Sequence, residues 1–300
     1  MNGENLLVWN VRGLGARARR NVVYQVVSLE KVSLLCLQET KLSCILVNLI
    51  NDMLGAGFDY FFLPANGAAG GILVAWRTSE WSLSQFRTDS LAFASMVNGP
   101  ELQPFWLTTV YGPQPDEDKV AFLNELRAVR EACQGPWFVC GDFNMIYRAE
   151  DKSNGRLNRR AMRRFARFLN EQLLSELFLQ GRLFTWSSER EHPTLERIDR
   201  AFATTDWLDG YPDHRLRALS TDCSDHAPLL LQATTTTWAT KRFRFETIWT
   251  RFDGFMQVVS EAWVCPLQNA DAFRVLDHRL RNTAKALKSW STKNILPPVL

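Results

Sequence analysis

Apolar residues in this chain fall in short unbroken runs, and most runs end abruptly in a polar residue or a glycine. Runs of this kind, bounded by turn residues, predict buried strands. The first covers Asn5 to Val11 and is broken by Arg12-Gly13-Leu14-Gly15; the second is Leu34–Leu37, followed by Gln38-Glu39-Thr40. Further strands are predicted at Tyr60–Leu63, Gly71–Trp76, Leu91–Val97, Phe105–Tyr111, Trp137–Cys140, Leu183–Trp186, Ile198–Phe202 and Leu229–Leu231. Between them the apolar period lengthens to that of a helix. Helices are predicted over Ala18–Lys31 (Val22, Val23, Val26, Val27), Leu46–Leu54, Asp116–Cys133 (Phe122, Leu126, Val129, Cys133) and Arg156–Leu174 (Met162, Phe165, Leu169, Leu173). Strands alternating with helices, with meanders between, predict two sheets packed together and covered by helices, an α/β architecture.

The pattern changes near residue 235. Lys241-Arg242-Phe243-Arg244-Phe245 is basic and aromatic, and Phe273, Leu276, Leu280 and Leu287 form a later helical stripe. Two domains are therefore expected, residues 1–235 and a partly helical tail at 236–300. Composition adds exclusions more than identity. No apolar run approaches the roughly 18 residues of a membrane span, and Met1-Asn2-Gly3-Glu4 has no secretory signature, so an intracellular protein without a membrane partner is expected. The six cysteines are scattered without a C-x-x-C pair, which argues against a zinc site or a disulfide framework. A net charge of +3 announces no nucleic acid. Its distribution is more informative: Arg159, Arg160, Arg163, Arg164 and Arg167 lie opposite the apolar stripe of one predicted helix.

The predicted strands share one feature. Each ends in, or next to, a residue able to bind a metal, a phosphate or a proton: Asn10, Glu39, Tyr111, Asp142 with Asn144, Thr185, Asp199, and the triplet Ser224-Asp225-His226. Singly, each also suits a turn or a solvated strand end, and Gly141-Asp142-Phe143-Asn144 suits an Asx turn. Together, successive strand ends on one rim of a sheet converge on one cleft. Trp9-Asn10-Val11-Arg12-Gly13, Leu37-Gln38-Glu39-Thr40-Lys41, Val110-Tyr111-Gly112-Pro113, Gly141-Asp142-Phe143-Asn144, Phe184-Thr185-Trp186, Glu196-Arg197-Ile198-Asp199-Arg200 and Ser224-Asp225-His226-Ala227-Pro228 resemble, in order, the motifs of the endonuclease/exonuclease/phosphatase superfamily. More narrowly they resemble the endonuclease domain of plant LINE-type (non-LTR) retrotransposons. Phe243-Arg244-Phe245-Glu246 resembles the segment that links this domain to a reverse transcriptase in such elements, which implies a product truncated before the polymerase.

The resemblance implies a DNase I-like four-layer α/β sandwich, two packed mixed β-sheets flanked by helices. It also implies Mg²⁺-dependent hydrolysis of DNA, with Mn²⁺ as the alternative ion, leaving a nick with a 3′-hydroxyl. Such chemistry needs a hard cation, an activated water and charge stabilisation on the phosphate. Glu39 is expected as the principal metal ligand, with Asn10 and Asp225 beside it. His226 is expected to handle a proton or donate to the phosphate, with Asp199 fixing its tautomer. Asp142 is expected to orient or deprotonate the water, and Asn144 and Tyr111 to donate to phosphate oxygens. Whether Asp142 or the His226–Asp199 pair is the base stays open. Thr185, Ser224, Arg160, Arg163 and Arg164 are expected to contact substrate, the arginines through the DNA backbone. Chromosomal DNA as substrate implies the nucleus. Abasic-site enzymes of the superfamily carry Asp where Arg12 stands and Asn where Gln114 stands, which points away from abasic-site repair. The rival readings are another phosphoesterase on the same fold and a catalytically inactive element fragment.

Overall fold

A computed structural model of the chain describes residues 4–67, 69–99, 103–221, 223–233, 245, 249–250, 252–264 and 271–294. The chain divides into two compact units, 1–239 and 240–300; the boundary expected at residue 235 lies outside the described residues. The first unit runs β1 (Glu4–Asn10), α1 (Arg17–Leu29), β2 (Val32–Gln38), α2 (Val47–Leu54), β3 (Phe58–Leu63), β4 (Ile72–Arg77), β5 (Ser82–Thr88), β6 (Ala92–Asn98), β7 (Phe105–Tyr111), α3 (Lys119–Ala132) and β8 (Trp137–Asp142). A short 3₁₀ turn at Ala149–Asp151 leads to α4 (Arg159–Glu171). There follow β9 (Ser175–Glu176), β10 (Leu179–Gln180), β11 (Trp186–Ser187), β12 (Leu195–Glu196), β13 (Asp199–Ala203), α5 (Thr205–Gly210), β14 (Arg215–Ala218) and β15 (Leu229–Ala233).

Among the described residues the strands form a seven-stranded sheet in the order β10-β14-β15-β1-β2-β4-β3, a six-stranded sheet β5-β6-β7-β8-β13-β9, and the small hairpin β11-β12. Both large sheets are mixed, since β1 runs parallel to β2 and β7 parallel to β8 while their other neighbours are antiparallel. The continuous apolar runs follow from the layering. On β1 and β2, Leu6, Val8, Leu34 and Cys36 face the other sheet, where Leu107, Phe138 and Cys140 meet them. The alternate residues Leu7, Trp9, Leu35 and Leu37 face α1 and α2, with Val23, Val27, Ile50 and Met53. Val139, Phe143 and Phe202 of the second sheet pack likewise against Phe122, Leu126, Phe165 and Phe168 of α3 and α4. Strands buried on both faces have no polar side to show. The result is the four-layer α/β sandwich.

Register places the strand ends side by side. Tyr111 pairs with Asp142 across β7 and β8, and Asp142 pairs with Asp199 across β8 and β13. Gly141 makes that approach feasible, because it holds φ +136° and a Cβ there would stand 2.1 Å from the Val110 carbonyl oxygen.

Several boundaries differ from the sequence expectation. Ser82–Thr88 is a strand at the edge of its sheet, and its largely exposed polar residues gave no apolar run. α3 starts at Lys119 rather than Asp116, and α4 at Arg159 rather than Arg156, because the Asn158 side chain caps it by accepting the Ala161 N–H at 3.0 Å. Of the strand expected at Leu183–Trp186, only Trp186 is paired, and Leu183 stands 76% exposed. The two-residue strands and the six-residue helix α5 are too short for a periodic signal. In the second unit, α6 (Phe255–Ala262) and α7 (Ala272–Asn294) pack through Trp249, Phe255 and Leu287, with Val258, Val259 and Trp290 around them. No helix among the described residues is long and apolar enough to cross a membrane.

Candidate active site

A cavity of about 600 Å³ opens where the two sheets present the ends of β1, β2, β8 and β13, and Arg12, Glu39, Lys41, Asp142, Asn144, Asp225 and His226 line it. Its floor is a chain of buried polar groups. His226 Nδ1 lies 2.9 and 3.0 Å from the two Asp199 carboxylate oxygens, and its Nε2 lies 3.9 Å from Asp142 Oδ2. Asn10 Nδ2 donates to Asp142 Oδ2 at 2.9 Å, and the Asn144 backbone N–H donates to Asp142 Oδ1 at 2.9 Å. These groups sit in almost no water: Asn10 is 0% exposed, Asp142 1%, Asp199 2% and His226 6%.

That burial sets the charges. It raises the Asp142 carboxyl above its ordinary value, and the neighbouring Asp199 charge adds to the rise, while His226 opposes it. For His226 burial pulls downward, but the charge and hydrogen bond of Asp199, with Asp142 and Asp225, outweigh it and lift the imidazole to about 9. His226 is thus an imidazolium at neutral pH. Burial, then the charges of Glu39 and Asp142, raises the Tyr111 phenol, so its hydroxyl stays protonated next to Glu39.

The backbone around the cavity is held in costly conformations. Arg12, Glu39, Lys41 and Asn144 all adopt φ between +48° and +56°, the left-handed region that side chains other than glycine rarely enter. Each stands just past a strand end, where the turn swings the side chain into the cavity instead of along the sheet. Hydrogen bonds maintain these turns: the Arg12 N–H donates to Asn10 Oδ1 at 3.0 Å, and Asn144 Nδ2 donates to the Gly112 carbonyl at 2.9 Å.

The donor set suits a hard divalent cation. Glu39 offers the cavity a carboxylate that is ion-paired with Lys41 at 2.9 Å and hydrogen-bonded by Tyr111. Asp225 Oδ1 is buried with no hydrogen-bond partner, while its Oδ2 accepts from Trp186 Nε1 at 3.0 Å. An orphaned carboxylate oxygen in a cavity that a second carboxylate also lines fits an ion that prefers oxygen. Asp142, Asp199 and His226 also place ligand atoms within 4.8 Å of one another. They are the poorer metal site, since His226 Nδ1 is engaged by Asp199 and Asp142 already accepts three N–H groups from Asn10 and Asn144.

Sequence-expected residues divide accordingly. Asn10, Glu39, Tyr111, Asp142, Asn144, Asp199, Asp225 and His226 gather at this one place. Of these, Asn10, Tyr111 and Asp199 stand behind the cavity lining, as do Thr185 and Ser224, which were expected to contact substrate. The Thr185 hydroxyl accepts the backbone N–H groups of Ile198 and Asp199 at 3.1 and 3.0 Å, pinning the start of β13. The Ser224 hydroxyl donates to the Asn10 carbonyl at 2.8 Å and accepts the His226 N–H at 3.2 Å, tying β1 to the histidine. Asn144, expected to donate to phosphate, has its side-chain amide engaged by Gly112 and Asp142. Arg160, Arg163 and Arg164 also lie outside the cavity lining, although α4 begins at its rim, where Arg156, Asn158, Ala161 and Met162 contribute. Lys41, Lys119, Lys152 and Trp186 also line the cavity: Lys41 and Trp186 stand inside sequence motifs without an assigned role, Lys152 belongs to the basic stretch before α4, and Lys119 carried no signal.

Residues 7–226 match the model of the Endonuclease/Exonuclease/phosphatase family. Among solved structures, the fold is similar to the endonuclease domain of TRAS1, a telomere-specific non-LTR retrotransposon, with TM-score 0.60 and 17% identity over 78% of this chain and 99% of that one. The AP endonuclease LMAP from Leishmania major gives TM-score 0.61 and 16% identity over 78% and 88% of the respective chains. The mannosyl-6-phosphatase Bt3783 from Bacteroides thetaiotaomicron gives 0.52 and 14% over 77% and 99%. No curated protein sequence matches the chain.

Proposed function

Because the chain belongs to the Endonuclease/Exonuclease/phosphatase family, a family of metal-dependent hydrolases of phosphoesters, we propose that it is a divalent-metal-dependent endonuclease that hydrolyses DNA phosphodiester bonds. The observation that carries this reading is the convergence of Glu39, Asp142 and His226, from distant parts of the chain, on one cavity. Glu39, with Asn10 and the free oxygen of Asp225, would hold Mg²⁺ or Mn²⁺, which supplies charge neutralisation on the phosphate and a more acidic water. Asp142, held in orientation by Asn10 and Asn144, aligns the attacking water and takes its proton; its raised pKa makes it a competent acceptor near neutral pH. His226, kept protonated by Asp199, donates to a phosphate oxygen as negative charge builds there. Tyr111 contributes a second neutral donor. Asp199 is therefore the group that fixes the ring, and Asp142 the base.

DNA is favoured over a small phosphoester by the outer surface of α4. Arg160, Arg163 and Arg167 are exposed on one stripe, with Arg164 beside it, and the helix starts at the cavity rim. Spaced cations leading away from a cleft suit a polyanion. Cleavage would leave a nick with a free 3′-hydroxyl. Supercoiled plasmid with Mg²⁺ tests the proposal: wild type converts it to relaxed circles, chelator prevents this, and Asp142→Ala or His226→Ala lowers the rate by about 10²-fold or more with the circular dichroism unchanged. Wild-type protein that leaves plasmid intact while cleaving a phosphomonoester would refute the assignment to DNA.

A further inference from the structure

Besides His226, five lysine and arginine side chains line the cavity: Arg12, Lys41, Lys119, Lys152 and Arg156. Lys41 sits on Glu39 at 2.9 Å, Lys119 on Asp116 at 2.7 Å and Lys152 on Glu196 at 2.7 Å, each a pairing with one carboxylate. Arg12 is different. Its Nη1 reaches Asp225 Oδ2 at 3.0 Å and Glu189 Oε2 at 3.3 Å, bridging the floor of the cavity to the hairpin β11-β12 above it. The two partners are unequal. Asp225 is 10% exposed and is fixed by Trp186 Nε1 and by its own carbonyl, which accepts the Ser187 N–H at 3.1 Å. Glu189 is 62% exposed, and an ion pair in that much water is weak. Arg12 thus has one permanent anchor and one exchangeable partner.

The backbone places Arg12 deliberately. Its φ of +51° is held by the Asn10 side chain and by Arg19, which donates to the Arg12 carbonyl. Both carboxylate contacts run through Nη1, which leaves the Nε–Nη2 edge of the fork outside these two bonds; a guanidinium edge of this kind grips phosphate with two parallel hydrogen bonds. We propose that Arg12 is a substrate-binding and catalytic cation, that it grips a non-bridging oxygen of the scissile phosphate, and that Glu189 is an acidic placeholder which the incoming phosphate displaces from it. The proposal rests on the cavity being a phosphodiester site. Asp225 fixes the guanidinium before substrate arrives, so little ordering remains when charge develops on the phosphate. Glu189 keeps the cation neutralised in the free protein and, being exposed and weakly held, releases it to a phosphate that the rest of the cavity holds in place.

The test measures kcat and KM on two substrates, supercoiled plasmid and bis(4-nitrophenyl) phosphate, for wild type, R12A, R12K, E189Q and the double variant R12A/E189Q, with thermal unfolding confirming that each is folded. R12A is expected to lose about 10²–10³-fold in kcat. R12K, which keeps the charge without the fork, is expected to recover only part of it and serves if R12A does not fold. E189Q is expected to lower KM severalfold in the wild-type background and to have no effect in R12A. R12A or R12K with kcat within threefold of wild type, or an E189Q effect that persists without Arg12, would overturn the proposal. Hydrolysis of the small diester that depends on Arg12, without plasmid nicking, would remove the DNA reading and leave this one standing. Nicking indifferent to Arg12 would do the reverse.

Discussion

The protonation of His226 ties the chemistry of the cavity to the stability of the fold, and that link has a calculable size. His226 is nearly fully buried, faces Asp199, Asp142 and Asp225, and is lifted from 6.5 to about 9 in the folded chain. A pKa raised on folding contributes stability that is complete below the unfolded value, near 6.5, and is lost as pH climbs through the folded value, near 9. Across that window the native state binds one more proton than the unfolded chain, so stability falls by roughly 1.4 kcal/mol per pH unit, about 3 kcal/mol in all. Asp142 is also raised by burial and titrates with the same sign, so the clean comparison is His226→Gln against His226, both in an Asp142→Asn background. Urea unfolding at pH 6 and pH 9.5, in chelator, gives the two differences. The histidine-containing protein should lose up to about 3 kcal/mol more than its partner, less the share of the lift that the Asp142 charge supplied, so as much as about 1 M in urea midpoint at a slope near 3 kcal/mol per M. A pH dependence shared equally by the two proteins would mean that His226 is not held as an imidazolium by Asp199, and the proton-donor role would fall with it.

Other expectations follow from single interactions. Gly141→Ala places a methyl 2.1 Å from the Val110 carbonyl at φ +136°, and Gly112→Ala one 2.2 Å from the Phe143 carbonyl; each should destabilise by about 2 kcal/mol or more and cut nicking by displacing Asp142, measured as Tm alongside plasmid relaxation. Arg200 is fully buried between Asp151 and Glu176 at 2.6 Å from each. Arg200→Met removes the cation the two share, leaving Asp151 with the Tyr147 and Arg148 N–H groups and Glu176 with Arg197 and Tyr147, and should cost about 3–5 kcal/mol in urea unfolding, whereas an unchanged midpoint would show that those remaining partners suffice. Replacing Arg160, Arg163 and Arg164 together by Ala should weaken binding to duplex DNA and reduce the slope of log K against log salt by as much as about 0.9 for each phosphate that is no longer neutralised. An unchanged slope in fluorescence anisotropy would remove that helix face from the DNA surface.

Much of this architecture is legible in the sequence because burial on both faces of a strand leaves a plain signature. Asn5–Val11, Leu34–Leu37 and Phe105–Tyr111 read as strands since neither side of their sheets meets water. The edge strand Ser82–Thr88 does meet water, and its polar residues hid it. The site was legible in a similar way: Asn10, Glu39, Asp142 and Asp199 stand at the ends of apolar runs, and a polar residue there has a cleft or solvent to face. What the sequence could not separate was contact from support. Thr185 and Ser224 occupy motif positions as regular as the others, yet their hydroxyls bond to backbone groups of β13, β1 and His226. Only the distances distinguish a residue that touches the cavity from one that holds a neighbour in place. Arg12 is the converse case. It marked a departure from abasic-site enzymes in the sequence, and the structure gives it two carboxylate partners at the cavity.

The claim beneath these expectations is that Glu39 and Asp225 hold the cation while His226 stays bonded to Asp199, with Asp142 close by. A crystal soaked in Mn²⁺ and measured at the manganese absorption edge decides it. The account predicts an anomalous peak within coordination distance, about 2.2 Å, of a Glu39 oxygen, with His226 still bonded to Asp199. A peak enclosed by Asp142, Asp199 and His226, or none anywhere in the cavity at saturating Mn²⁺, would contradict it.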